Sequence, residues 1–304
     1  MLRRIHGSKD HGDVTGSLRA LAQLYEVQGL LKEAGALLKR SLVMLWRIHS
    51  KKDHCDVAVT LGGLAQVYMT QGQLDDSASH QKKSLAMLRR IHGSNDHNDV
   101  ANSMCSLAQV KMAQGRLGDS ASLHLEALAM LQRIHSNRAH RGVAVSLGFL
   151  ARVYKAQCRF DDSASLHKES LAMFQRVHGG KDHNDVAVSL FCLAQVYVDL
   201  RRLNDAKSCH ELSLAMLRRI HDNKDHVDVA RSLCCLAQVY MSQGRLEDAA
   251  SLAEKSLAMH RQIHGSKDHF DVGDSLWCLA RVYQAQGRLL AAQPLCLEYI
   301  LKGY

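Results

Sequence analysis

The chain has 304 residues, 46% of them hydrophobic, 5% aromatic and only one a proline, with a formal net charge of +9. That is enough apolar material for a sizeable core, and the abundance of Ala, Leu, Gln, Arg and Lys favours helices over strands. The positive charge is spread without any run of five Lys or Arg, which argues against nucleic acid. The absence of an 18-residue apolar stretch or a signal-peptide h-region leads us to expect a cytoplasmic protein without a membrane span.

In chain order, Met1-Leu-Arg-Arg-Ile-His repeats the later Met87-Leu-Arg-Arg-Ile-His, so residues 1–12 read as the remnant of a preceding helix and loop. The pair Asp-His then recurs at Asp10-His11, Asp53-His54, Asp96-His97, Asp182-His183, Asp225-His226 and Asp268-His269, with Ala139-His140 as the fourth copy, at a constant 43-residue spacing. This predicts one array over 1–304, with units at approximately 13–55, 56–98, 99–141, 142–184, 185–227, 228–270 and 271–304. Three units depart from the pattern. Lys111 stands in the third where the others have a core Tyr. The fourth has lost both loop acids (Ala139, Gly142). Cys158 and Arg201 replace a turn glycine in the fourth and fifth, which predicts looser helix ends there.

The sixth unit shows the pattern most clearly. Leu233, Leu236, Ala237 and Tyr240 fall at i, i+3, i+4, i+7 and make one face of an amphipathic helix. Asp228 is read as its N-cap, Asp271 as that of the next unit, and Gly244 as the residue that ends the sixth unit's first helix. A second helix is predicted from about Leu246 to His264, with Leu246, Ala249, Ala250, Ala253, Leu257 and Ile263 as its apolar stripe. The short turn makes the two helices antiparallel. One pair cannot bury both its apolar faces, so the pairs must stack. The last helix, ending Tyr299-Ile-Leu-Lys-Gly-Tyr304, has no clear polar cap.

Leu236, Ala237, Tyr240, Gly244 and Ala249, followed by Ser256-Leu257, sit at the large, small, aromatic, turn and small positions of a tetratricopeptide repeat (TPR). The unit is longer than the ordinary 34-residue repeat. With D-H-x-D-V-A opening each first helix, it resembles the kinesin light chain type. The resemblance implies an all-α, right-handed superhelical solenoid of about seven antiparallel helix pairs. It also implies a protein or peptide partner held in a concave groove lined by the first helices. Where kinesin light chains commonly carry Pro between the loop His and Asp, this chain has Gly12, Cys55, Asn98, Arg141, Asn184, Val227 and Phe270.

Carried over, the groove positions lie two, five and nine residues after the Val of D-V-A. Those nine on form a polar ladder of Gln23, Gln66, Gln109, Arg152, Gln195, Gln238 and Arg281. Arg19, Phe191 and Trp277 lie five on, and Asn102 and Arg231 two on. Glutamines with two arginines suit an extended, acidic peptide, with Phe191 and Trp277 as apolar anchors. Two other readings fit the same pattern: a sensor module of a larger signalling protein, and a passive spacer.

The remaining constellations read as structural. The loop His and the His five residues earlier, as in His49 and His54, recur in unit after unit, as a catalytic centre does not; capping and packing are expected, with no metal and no cofactor. His124, His167 and His210, and the stripe Met44, Met87, Met130, Met173, Met216 and Met259, are assigned to helix seams. The nine Cys are expected to be mostly buried small hydrophobes. Arginines closing the second helices, among them Arg47, Arg89-Arg90, Arg133, Arg176 and Arg218-Arg219, are expected to face the acids of the following loop. No nucleophile-elbow, P-loop, zincin or dinucleotide motif is present, so no enzyme is predicted.

Overall fold

The computed structural model describes residues 11–136, 138–265 and 269–303. Asp10, Asp268 and the N-terminal remnant up to that aspartate, with Arg3, Arg4 and His6, lie outside the described residues. Among the described residues are fourteen helices and no strand. The first helices of the seven pairs are α1 (Gly12–Val27), α3 (Cys55–Thr70), α5 (Asn98–Ala113), α7 (Arg141–Ala156), α9 (Asn184–Asp199), α11 (Val227–Ser242) and α13 (Phe270–Ala285). The second helices are α2 (Leu31–Ile48), α4 (Leu74–His92), α6 (Leu117–Ile134), α8 (Phe160–Val177), α10 (Leu203–Ile220), α12 (Leu246–His264) and α14 (Leu289–Leu301). The contacts divide the chain into two compact units. The first runs up to Arg138 and includes Arg152–Gln157; the second comprises Ala139–Ala151 and the residues from Cys158 on.

Within each pair the helices meet where side chains are small. Ala65, Ala108 and Ala151 on the first helices are completely or almost completely buried. Their carbonyls accept hydrogen bonds from Ser77, Ser120 and Ser163 on the second helices at 2.7–2.8 Å. Two turns on, Ser84, Ser170, Ser213 and Ser256 donate to the carbonyls of Ala58, Ala144, Ala187 and Ala230. Each is a buried polar group satisfied across the seam, where an unmade bond would cost about 1–3 kcal/mol. Around the seams, residues such as Leu233, Leu236 and Leu257 are buried, each stabilising the fold by about 2 kcal/mol.

Pairs then stack. In the first compact unit α2 packs on α3 and α4 on α5; in the second, α8 packs on α9, α10 on α11 and α12 on α13. Successive first helices also touch directly, α1 with α3, α3 with α5 and α11 with α13, so they line one face of their unit. The methionine stripe lies in these seams: Met173 and Met216 pack on the cluster of Ala144, Phe174, Val186 and Leu190.

Two helix-end readings need correction. The N-cap is His226 rather than Asp228, and His269 rather than Asp271. The His backbone is extended, and its Nδ1 accepts the N–H of the Asp two residues on, at 3.2 Å in the sixth unit. The same cap opens α1, α3, α5 and α9. The variable loop residue is thus the first helical residue and the Asp the second, where a carboxylate still complements the helix dipole.

The turn between the helices matches the expectation. Gly244 has φ +77° and donates to Met241, while Arg245 donates to Tyr240, closing the helix with a double bond pattern that needs a left-handed residue. Cys158 and Arg201 adopt the same left-handed conformation, both at φ 59°. Helices α7 and α9 therefore keep the 16-residue length of their counterparts, so these two substitutions show in the structure as backbone strain. Replacing Arg201 by Gly is expected to raise the stability of the second compact unit by up to about 1 kcal/mol in chemical denaturation, whereas Gly244→Ala should lower it by a similar amount.

Candidate functional site

All twelve sequence-predicted binding residues lie on first helices. In the first compact unit Gln23, Gln66, Asn102 and Arg152 are exposed, and Arg19 and Gln109 half-buried. In the second, Arg231, Gln238, Trp277 and Arg281 are exposed, and Phe191 and Gln195 half-buried.

Several of these side chains already have partners. Arg19 donates to the carboxylate of Asp56 at 2.9 Å and reaches its carbonyl at 3.4 Å. Arg231 lies 3.5 Å from Asp228 and 3.9 Å from Asp271. Phe191 packs edge-on against buried His210, with ring centroids 5.2 Å apart. Trp277 stays 48% exposed while leaning on Tyr299, so an aromatic face remains for a ligand. Arg281 is exposed one helical turn beyond it. On the neighbouring α11 of the sixth unit, Cys234, five residues after its Val229, is buried beside Cys278, whose thiol donates to the Cys234 carbonyl at 3.7 Å. Cys234 and Cys278 are the only buried cysteines of the nine; Cys158 is exposed and the others half-buried, because most of these positions sit on seam edges.

The loops hold a second recurring constellation. His49 and His54 stack at 3.5 Å, and the same stack recurs at His92–His97, His178–His183, His221–His226 and His264–His269. In four of these loops the histidines and the capped Asp bring three ligand atoms within 4.8 Å, and beside the His178–His183 pair the Asp185 carboxylate accepts from His178 Nε2 at 3.1 Å. Ring geometry opposes a shared metal: a histidine ligates in its own ring plane, and the stacked planes are only 8–12° from parallel. The Nδ1 of the capping His is also occupied by a backbone N–H. The arrangement is one of caps and stacking.

Three arginines at second-helix ends reach back, whereas Arg89 and Arg261 reach forward to Glu126 and Glu298 on the next second helix. Arg90, Arg133 and Arg219 make two hydrogen bonds each to Asp53, Asp96 and Asp182, 37 residues upstream. The expectation that they face the following loop is corrected: the antiparallel pair returns the second helix to the loop that opened its own unit. These guanidinium bonds hold the three carboxyls below the usual carboxylate range. Where Ala139 replaces the acid, Arg176 turns to the carbonyl of Ala172. Arg141 instead pairs with Asp185 at 2.8 Å. Burial pushes the Asp185 carboxyl up, but hydrogen bonds from Arg141 and His178 outweigh it and hold it low. Neither the stacks nor these clamps followed from helical periodicity; the recurrence of Asp and Arg at a fixed separation was the available signal.

Lys111, in place of the core Tyr, is buried and donates to Gln114 Oε1 at 3.1 Å; burial lowers its pKa. His124 and His210 lie buried in the seams as expected, and burial lowers both to about 4. In the unfolded chain each titrates near 6.5, so between the two values the unfolded state binds protons that the folded state does not. Their contribution is therefore fully present above pH 6.5 and lost as pH falls towards 4, at about 3 kcal/mol each. The equivalent Gln81 bonds Ser103 at 3.0 Å, while Ser232, the serine facing His210, has a buried hydroxyl without a hydrogen bond. Urea denaturation of His210→Gln should show a smaller loss of stability between pH 7 and pH 4.5 than the parent chain.

Against known proteins, a tetratricopeptide repeat profile matches residues 56–133 and 142–219, and a second tetratricopeptide repeat profile matches 229–271. No curated protein matches the sequence. The fold is similar to the crystal structure of BtubC (BKLC) from P. vanneervenii, 19% identical over 79% of this chain and 94% of that one, with a TM-score of 0.68. It is similar to a putative kinesin light chain from Podosopora anserina with nearly identical TPR-like repeats, 21% identical over 70% of this chain and all of that one, TM-score 0.60. It is also similar to a signal-transduction ATPase with a tetratricopeptide repeat sensor from Pyrococcus horikoshii, 18% identical over 96% of this chain but 42% of that one, TM-score 0.67. No helix among the described residues is long and apolar enough to cross a membrane.

Proposed function

We propose that this chain, which belongs to the tetratricopeptide repeat family, is an interaction scaffold that holds an extended, acidic peptide across its first helices. Repeats of this family generally mediate protein–protein interaction and are not, as a rule, catalytic. The observation that carries the finer reading is the pair Trp277 and Arg281 on α13, with Gln238 on the neighbouring α11. An exposed aromatic face and an exposed guanidinium lie one turn apart, beside an amide able to bond a peptide group.

Packed helices lie about 8–10 Å apart and an extended chain advances about 3.3 Å per residue, so each first helix meets about three peptide residues. Gln195, Gln238 and Arg281 then bond a segment of about six residues in the second compact unit. Gln23, Gln66, Gln109 and Arg152 offer the same kind of ladder in the first. Arg19 is the weakest contributor, because Asp56 already holds it. Phe191 is best read as lining rather than anchor, since its ring is committed to His210.

Fluorescence anisotropy with acidic peptides, with and without Trp, tests this reading. Trp277→Ala and Arg281→Ala should each weaken binding about tenfold, near 1.4 kcal/mol, and only the arginine change should reduce its salt dependence. Binding unchanged in both variants, or absent from the folded parent chain at low salt, rejects the groove.

A further inference from the structure

The His92–His97 loop differs from the four whose ligand sets are two histidines and an aspartate. Here the third atom comes from a thiol: Cys55 Sγ, His92 Nε2 and an Asp99 carboxylate oxygen lie within 4.8 Å of one another. Cys55 opens α3, His92 closes α4 and Asp99 is the second residue of α5, so three helix ends of the first compact unit converge. The ring planes raise no obstacle at this set. Only one histidine of the stack contributes, and His97 covers the face of its ring at 3.5 Å while leaving the edge clear. On that edge His92 Nε2 is buried without a hydrogen-bond partner, 3.9 Å from the Asp99 carboxylate.

The other loops show what this place accepts. In the third unit Asn98, the counterpart of Cys55, has its Oδ1 3.2 Å from Nε2 of His135, the counterpart of His92. In the fourth unit Arg141 stands at the same place. Its guanidinium donates to Asp185, the counterpart of Asp99, at 2.8 and 3.0 Å, and His178 Nε2 lies 3.1 Å from the same carboxylate. That joint therefore carries a permanent cation at its carboxylate. Cys55 brings a thiol instead, and among the described residues Asp99 has only His92 and His97 within ion-pair distance, at 3.9 and 3.6 Å. Gly12, Asn184 and Val227, at the equivalent place in other units, supply no soft ligand.

We propose that Cys55, His92 and Asp99 bind a zinc ion, with water in the fourth position. Thiolate, imidazole and carboxylate are all zinc ligands, and the thiolate disfavours magnesium and calcium. The deprotonated thiol and the carboxylate balance the charge of the ion, and binding releases the thiol proton to solvent. Bonds of about 2.0–2.3 Å hold the ligand atoms of a tetrahedral site about 3.3–3.7 Å apart, so the set closes by about 1 Å when the ion enters. All three side chains are half-buried, which leaves an entry path and room for the water. The ion ties the α3–α4 pair to α5 at the loop end of their joint, and it does not depend on a peptide in the groove.

Cobalt(II), which substitutes for zinc and absorbs visible light, is the probe, with thiols kept reduced by a phosphine. The 304-residue chain should take up one equivalent, with a thiolate-to-cobalt charge-transfer band and the intense visible bands of a four-coordinate ion, and zinc should bleach both. Cys55→Val, which installs the side chain that the sixth unit carries there as Val227, should abolish the charge-transfer band. Asp99→Asn should weaken zinc binding by more than the about 10–100-fold typical of outer-shell partners. Both variants should keep the helical circular dichroism of the parent, and His92→Gln replaces Asp99→Asn should the latter fail to fold. Excess zinc should raise the thermal midpoint of the parent and leave that of Cys55→Val unmoved. A parent without the charge-transfer band overturns the proposal. So does a band retained by Cys55→Val, which puts the ion on another cysteine. Zinc affinity unchanged in folded Asp99→Asn also overturns it, since the thiol would then be holding an adventitious ion only.

Discussion

The hydrogen bond from a second-helix serine to a first-helix alanine carbonyl, across a seam of small side chains, is the contact on which the architecture depends. Ser77 to Ala65 and Ser84 to Ala58 join α4 to α3 at two levels. The helices must be close for these bonds to form, and only alanine-sized neighbours permit that approach. Once a pair is fixed, its remaining apolar stripe has nowhere to go except onto the next pair. Stacking is thus a consequence of the seam, with the long 43-residue period accommodating the extended second helix and loop.

The seam also decides what the first-helix face offers a partner. Positions five residues after the conserved-pattern valine lie at its edge, and their fate depends on the second helix beneath. Opposite His210, Phe191 is drawn inward and half-buried. Cys234 is small enough to disappear beside Cys278. Trp277 is too large to do so and rests on Tyr299 with half its surface outside. A residue type alone did not tell these cases apart; the neighbour one helix away did.

Periodicity carried most of the fold. Repetition seven times over separated the 3.6-residue apolar pattern from chance, and α12 runs over the predicted Leu246–His264. The loops were less legible. Asp and His both suit the start of a helix, and only the extended backbone at His226 puts Nδ1, rather than the carboxylate, in reach of the free N–H. Likewise Arg90 could be placed at a helix end from the pattern, but its direction depends on where the antiparallel return brings it. Placement of the twelve candidate side chains on first helices was readable from the repeat. Whether each was already engaged, as Arg19 is by Asp56, was not, because that contact spans 37 residues and two units.

The backward clamp from Arg90 to Asp53 makes the stretch between them close upon itself. Cap, both helices, seam bonds and clamp are encoded within a single 43-residue length, and only the stacking surface looks outward. A DNA segment of that length can therefore be copied or deleted by unequal recombination with little disruption of a unit's internal bonds. The unpaired history shows at one place: the loop at Ala139 has lost its acid, Arg176 has settled on its own helix, and the unit still folds to the common plan. Gain and loss of whole units is thus a tolerated route of change, and the length of the array is freer to drift than the geometry of any one pair.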